Sequence, residues 1–159
     1  YLARPATWTI LSGLPLVLIG EATRTWASGF IKKDRELAKD GPYALTRNPL
    51  YLGNFMIGIG FSIMANNLIL LALFVVVFYL IYSVTIHREE RRLIDKFGET
   101  FLAYKSSVPV FFPLRLLPPN LDVHFNWRLA LSHREHHTWL GIAGCIIIFI
   151  LKLSYFHFK

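Results

Sequence analysis

The stretch LILLALFVVVFYLIYSVTI, residues 68–86, runs for 19 residues without a charge. At 1.5 Å per residue a helix of that length nearly covers a hydrocarbon core of about 30 Å. No soluble domain needs such a run, and the rest of the chain agrees with it. Hydrophobic residues make up 54% of the 159. They gather in three further runs, at 6–20, 49–64 and 138–151, with Lys152 placed to snorkel at the end of the last. The pattern predicts an all-α integral membrane bundle of about four transmembrane helices, with interfacial helices on the cytoplasmic side. Residues 1–159 read as a single domain. Its first apolar run lacks a basic leader and a small-residue cleavage site, so no cleavable signal peptide is expected.

A net charge of +7 raises the question of nucleic acid, but its distribution answers differently. Thirteen of the 17 Lys and Arg residues fall in two segments, five in 28–48 and eight in 87–137. Between those segments two apolar runs are joined by a short Ala65-Asn66-Asn67 turn, so a helical hairpin would return both segments to one face. The positive-inside rule makes that face cytoplasmic, and in a bacterial cell the membrane would be the inner one. The basic charge is therefore read as topology and headgroup attraction. No nucleic-acid partner is expected. The lone Cys145 lies in an apolar run and reads as a packing residue.

Local signals divide the chain further. Glu21 and Arg24 stand i, i+3 and can pair on one helix face. Asp34 suits the cap of a short helix reaching Leu37 or Ala38, which Gly41-Pro42 would end. Pro49 fits the first turn of a helix with Asn48 near its N-cap. Gly53, Gly58 and Gly60 in that helix read first as close packing against a neighbour, and second as room for a ligand. Past the long apolar run, Leu93, Phe97, Phe101 and Tyr104 recur at helical spacing, with charges on the other face. This predicts an amphipathic helix at the interface, broken at Gly98. The segment HFNWRLALSHREHH is also amphipathic and leads into a last helix at about 138–157.

Chemistry concentrates in two polar clusters that the hairpin brings together. One is Tyr43, Arg47, Asn48 and Tyr51. The other is His87, Arg88, Glu89 and Glu90. Neighbouring carboxylates on a helix point about 100° apart, so one can face inward while the other is solvated. Ionisable groups at a membrane boundary that face a bundle interior are functional candidates.

Two motifs in the same order and spacing carry a resemblance. GPYALTRNPLYLGN, residues 41–54, is followed by REERRLIDKFGETFLAYKSSVPVFFP, residues 88–113. Together they resemble the isoprenylcysteine carboxyl methyltransferase and phospholipid methyltransferase superfamily over roughly residues 15–115, with a motif core at 28–113. The resemblance implies a membrane enzyme that uses S-adenosylmethionine and takes a lipid-like substrate from the bilayer. It places the cofactor at Glu36, Leu37, Tyr43, Asn48, Pro49, Leu50, Tyr51 and Glu89. A carboxylate such as Glu89 accepts hydrogen bonds from amino or ribose hydroxyl groups. A helix N-terminus suits the cofactor's carboxylate, and tyrosines offer a wall for adenine.

The catalytic candidates are Arg47, Tyr51, Arg88 and Glu90. Methyl transfer from a sulfonium relies mainly on alignment. A carboxylate acceptor needs no base, whereas an amine or hydroxyl would draw on His87, Glu90 or Tyr51. Phe30, Asn48 and Thr85 depart from residues common in the family. Thr85 replaces the arginine that holds a substrate carboxylate, a role left to Arg88 or Arg47. These departures motivate a second reading, a non-catalytic subunit of a membrane complex, either with another membrane protein or as a homo-oligomer. A third reading is a metal or haem protein built on His124, His133, His136 and His137. The histidines read more simply as interfacial residues, with no metal site. Glu135 is placed at the edge of the pocket.

Overall fold

The computed structural model describes residues 2–31, 36–115, 118, 125–132 and 135–157, with side chains through Tyr155. Among them every regular element is helical: α1 (Thr7–Ser28), a 3-10 turn (Gly41–Ala44), α2 (Pro49–Met64), α3 (Leu68–Phe97), α4 (Glu99–Ser107), α5 (Trp127–Ser132) and α6 (Glu135–His157). The expected Asp34-capped helix falls on residues outside the described ones, and Leu37 and Ala38 are not helical.

Among the described residues two helices, fewer than the four expected, are long and apolar enough to cross a membrane: Leu68–Phe97 and Glu135–Tyr155. The other two expected spans miss that length-and-composition test for physical reasons. The α2 helix is apolar, but its 16 residues reach only about 24 Å at 1.5 Å each. The 22 residues of α1 have the length but include Pro15, Glu21 and Arg24. Phe78 is the one buried residue of α3, and only 6% of the most apolar stretch of α6 is buried. Leu68, Ile69, Leu80, Leu140, Ile148 and Leu151 all stand exposed, as do Leu11 and Leu18 of α1. A belt of that size facing water would be a severe liability, and lipid is the solvent that fits it.

The tightest seam joins α1 and α2, which run antiparallel. Gly13 faces Gly60 and Gly20 faces Gly53, each pair so close that a Cβ on either residue would meet its partner's carbonyl oxygen. Small residues let helix backbones approach this way where lipid supplies no hydrophobic drive. The packing reading of Gly53 and Gly60 is thus the one the structure supports, while Gly58 makes room for the Phe74 ring of α3.

At the far end Asn67 caps α3, its side chain accepting hydrogen bonds from the N–H groups of Ile69 (2.9 Å) and Leu70 (3.1 Å). Asn66 takes the positive φ of 50° that the tight turn requires. Its amide and that of Asn67 hold the carbonyls of Arg4 and Leu2. Asn67→Ala is expected to cost about 1 kcal/mol, the usual value of such a cap, read as a lower unfolding midpoint in detergent.

The α6 helix packs across α1 and α2. Ile142 closes on Val17 and Met64, and Phe149 stacks on Phe61 with ring centres 6.0 Å apart. Its first turn is polar. Glu135, 4% exposed, receives Nη2 of Arg24 on both oxygens at 3.1 and 3.3 Å. Arg24 also stands 3.6 Å from Glu21, as its i, i+3 spacing allows, and its Nη1 donates to Asn54 Oδ1 of α2. The indole N–H of Trp139 donates to Thr25 Oγ1 at 3.1 Å.

Candidate active site

The segment from Asp40 to Asn48 is short, polar and firmly held. Gly41 has φ of +58°, and the Phe30 ring fills the space where a side chain would be. Phe30 thus packs the turn. Tyr43 is 9% exposed, and its carbonyl accepts the Tyr104 hydroxyl of α4 at 2.7 Å. Burial pushes both phenols above the ordinary tyrosine range, so each stays protonated and Tyr104 remains a donor. The backbone N–H of Arg47 donates to the carbonyl of Pro109 at 2.9 Å, and the Asn48 amide to that of Val110 at 2.8 Å. Asn48 does occupy the N-cap position of α2, but its side chain does not cap the helix. It ties the loop to the chain beyond α4.

Helix α2 therefore opens without a side-chain cap. Pro49 has no N–H to leave unpaired. The N–H groups of Leu50 and Tyr51 precede the first intrahelical bond, from Leu52 N–H to the Asn48 carbonyl at 3.0 Å. Opposite this mouth lies the end of α3. The Tyr51 hydroxyl donates to Glu89 Oε1 at 2.8 Å. Glu90 is pinned between two cations, Arg47 Nη2 at 3.1 Å and Lys105 Nζ at 2.6 Å. Arg47 Nη1 also donates to the Lys105 carbonyl at 3.1 Å. The hairpin juxtaposition expected from sequence is present, and it distinguishes the two acids. Glu90 is the sheltered one, with its side chain 14% exposed, and Glu89 is the more open.

A cavity of about 420 Å³ lies between the link before Asp40, the mouth of α2, the end of α3 and α4. That is within the range of small-molecule sites, about 300–1,000 Å³. Glu36, Leu37, Tyr43, Asn48, Pro49, Leu50, Tyr51 and Glu89 all line it, as do Arg47 and Glu90. Arg88 and His87 do not; both are exposed on α3. Thr85 donates its hydroxyl to the Ile81 carbonyl one turn back, 2.9 Å away. Glu135 is also outside the cavity lining, held by Arg24.

Sequence reasoning missed the second wall. Leu93 and Phe97 from α3, and Phe101 and Tyr104 from α4, line the cavity together with Arg92 and Lys96. Their helical spacing had suggested a face lying on the interface. Gly98, with φ of 49°, folds the chain between Phe97 and Glu99 and turns the stripe inward. Phe101 is left 1% exposed. His133, Arg134 and His124 lie outside the described residues, so the pairing of His133 with His137 does too. The rings of His136 and His137 stand 4.3 Å apart at the start of α6, and both residues are exposed.

The donor set suits S-adenosylmethionine. Glu36 and Glu89 offer acceptors for amino and hydroxyl groups, the α2 mouth offers N–H groups for a carboxylate, and Tyr43, Phe97 and Phe101 offer ring and apolar surface.

Several known proteins are similar to this chain. A protein S-isoprenylcysteine O-methyltransferase from Saccharomyces cerevisiae is 34% identical over 113 residues, covering 64% of this chain and 47% of that protein. The human protein of the same name is 32% identical over 119 residues, covering 67% and 42%. The cobalt-zinc-cadmium resistance protein CzcN of Cupriavidus metallidurans is 35% identical over 103 residues, covering 64% and 46%. This chain spans about half the length of the curated relatives it matches. The phospholipid methyltransferase family model matches residues 7–100, a span that takes in α1, the loop, α2, α3 and both walls of the cavity up to Gly98. On that match the chain belongs to the phospholipid methyltransferase family.

Proposed function

We propose that this chain is an S-adenosylmethionine-dependent methyltransferase of the membrane, acting on a lipid-like or isoprenylcysteine-type acceptor. The observation that carries the reading is the convergence of the eight motif residues on one cavity with Glu89 held by Tyr51. When bound, the cofactor supplies a methyl group already activated by its positively charged sulfur. The protein's part is to hold and align. Glu36 and Glu89 would take its amino and hydroxyl groups, and the N–H groups of Leu50 and Tyr51 its carboxylate.

A carboxylate acceptor brings no proton to remove. For an amine or hydroxyl, Glu90 is poorly placed to receive it, because both of its oxygens are engaged by Arg47 and Lys105. Tyr51 acts through Glu89 as its hydrogen-bond donor. The basic residues 36–48 and 87–115 gather at the cavity end of the bundle, which supports a cavity open to the cytosol.

Glu89→Gln keeps size and removes charge. Hydrogen bonds to a charged group contribute roughly 1.5–3 kcal/mol, against about 1 for neutral ones. Affinity for S-adenosylhomocysteine is expected to fall about three- to thirtyfold, by calorimetry in detergent. Unchanged affinity would remove Glu89 from the site. Turnover is tested by incubating the protein with methyl-tritiated S-adenosylmethionine and membrane lipid extract, followed by mass spectrometry of the labelled product. Binding without label transfer would favour a non-catalytic subunit.

A further inference from the structure

A continuous chain of polar and aromatic contacts runs from the first turn of α6 to the cavity, through residues that do not line it. Glu135 of α6 holds Arg24 of α1 at 3.1 Å. Arg24 donates to Asn54 Oδ1 of α2. The Asn54 amide donates to the Tyr82 hydroxyl of α3 at 3.1 Å. The Tyr82 ring packs on Tyr51 of α2, centres 4.7 Å apart, and the Tyr51 hydroxyl donates to Glu89. The geometry of the helices makes these links cooperate. Asn54 lies three residues after Tyr51, and Glu89 lies seven after Tyr82, so each pair shares one face of its helix. The Asn54–Tyr82 bond therefore fixes how α2 is rotated against α3 one to two turns from the cavity.

We propose that Asn54 and Arg24 are positioning residues: the Glu135–Arg24–Asn54–Tyr82 relay sets the orientation of Tyr51 against Glu89, and so ties the docking of α6 to cofactor affinity. The proposal rests on the reading of the cavity as a cofactor site. Two observations favour it over simple packing. The side chains of Arg24 and Glu135 are only 15% and 5% exposed. A sheltered ion pair is usually no more stabilising than apolar residues of the same volume, and its best-attested use is to specify one arrangement. The relay also reaches beyond the family match, which ends at residue 100, to a helix that begins at Glu135.

The test is a double-mutant cycle. Asn54→Ala leaves the Arg24–Glu135 pair and every cavity residue in place. It is expected to weaken S-adenosylhomocysteine binding about three- to tenfold, the scale of one lost hydrogen bond. Tyr82→Phe keeps the ring on Tyr51 and loses only the hydroxyl, so a similar or smaller loss is expected. In a Tyr51→Phe background, where the last link is already cut, Asn54→Ala is expected to change affinity less than about 1.5-fold, since coupled residues fail to add. Full additivity, or no effect of Asn54→Ala in the wild type, overturns the relay. Hydrogen–deuterium exchange without cofactor gives an independent reading. Faster exchange confined to residues 52–56 and 86–90 is expected for Asn54→Ala, and a uniform rise across all helices would mean a general loss of packing and overturn the proposal. Failure of the wild type to bind the cofactor product would remove the cofactor reading of the cavity, while the exchange pattern would still decide the relay.

Discussion

Gly60→Leu is expected to abolish the folded, monodisperse protein in detergent, whereas Gly141→Ala and Gly144→Ala in α6 leave its unfolding midpoint nearly unchanged. The contrast comes from what surrounds each residue. A Cβ at Gly60 would stand 2.7 Å from the Gly13 carbonyl oxygen and 2.6 Å from a methyl of Val17. The first of these is backbone on a neighbouring helix and cannot swing aside. Forcing extra volume into a well-packed core costs about 1–3 kcal/mol when side chains can adjust, and more when they cannot. Gly60→Ala already meets that clash, and Leu adds three heavy atoms beyond it. Separation at Gly60 also strains the reciprocal contact of Gly20 with Gly53, because both lie on one seam. At Gly141 and Gly144 an added Cβ meets nothing within 4 Å. Thermal unfolding followed by tryptophan fluorescence reads all four variants. A normal midpoint for Gly60→Leu would mean that the α1–α2 seam opens without penalty.

The second large effect concerns Glu90. Glu90→Gln leaves Arg47 and Lys105 facing a neutral amide. The Arg47 and Glu90 side chains are 12% and 14% exposed, between a buried pair and a surface one. Breaking a buried pair costs about 3–5 kcal/mol and an exposed one about 0–1. About 1–3 kcal/mol is therefore expected, a fall of roughly 2–10 °C in the unfolding midpoint for a chain of this size. Because Arg47 runs directly into Asn48 and Pro49, releasing it also loosens the mouth of α2. S-adenosylhomocysteine affinity is expected to drop about three- to tenfold, a loss of order one hydrogen bond. Lys105→Met is the control. Its side chain is 39% exposed, and removing the ammonium is expected to cost less than about 1 kcal/mol. Equal effects of the two substitutions would show that Glu90 is held by Lys105 and not by Arg47.

Much of the site was legible in the sequence because it is local. Gly41-Pro42, Asn48-Pro49 and the paired acids are short signals read within a turn or two, and the hairpin that joins them follows from two apolar runs and a three-residue turn. Exposure at Glu89 and Glu90 was not legible. A 100° offset says that neighbours differ, but which one faces Arg47 depends on the rotation of α3, which tertiary contacts set. The Phe101 stripe shows the same limit, since periodicity identifies an apolar face without saying what covers it. The expected count of membrane helices exceeds the two that pass on length and composition because the run at 49–64 gives only 16 helical residues and that at 6–20 continues into Glu21 and Arg24. In the fold these two segments are chiefly a glycine-bonded pair. The bond between Arg24 and Glu135 joins residues 111 apart in sequence, and no local pattern reveals it.

Helix α3 serves two solvents over 30 unbroken residues. Its first half is turned largely outward, with Phe74 and Phe78 packing back on Gly58 and Phe55, and its last turns form a cavity wall. Exchanges among Leu, Ile, Val and Phe at positions such as 69, 73 and 76 are therefore nearly silent, as surface changes usually are. A change of the same size at Leu93 or Phe97 alters the shape of the cavity. Drift along this one helix should be permissive at one end and restrictive at the other, with the boundary near Tyr82.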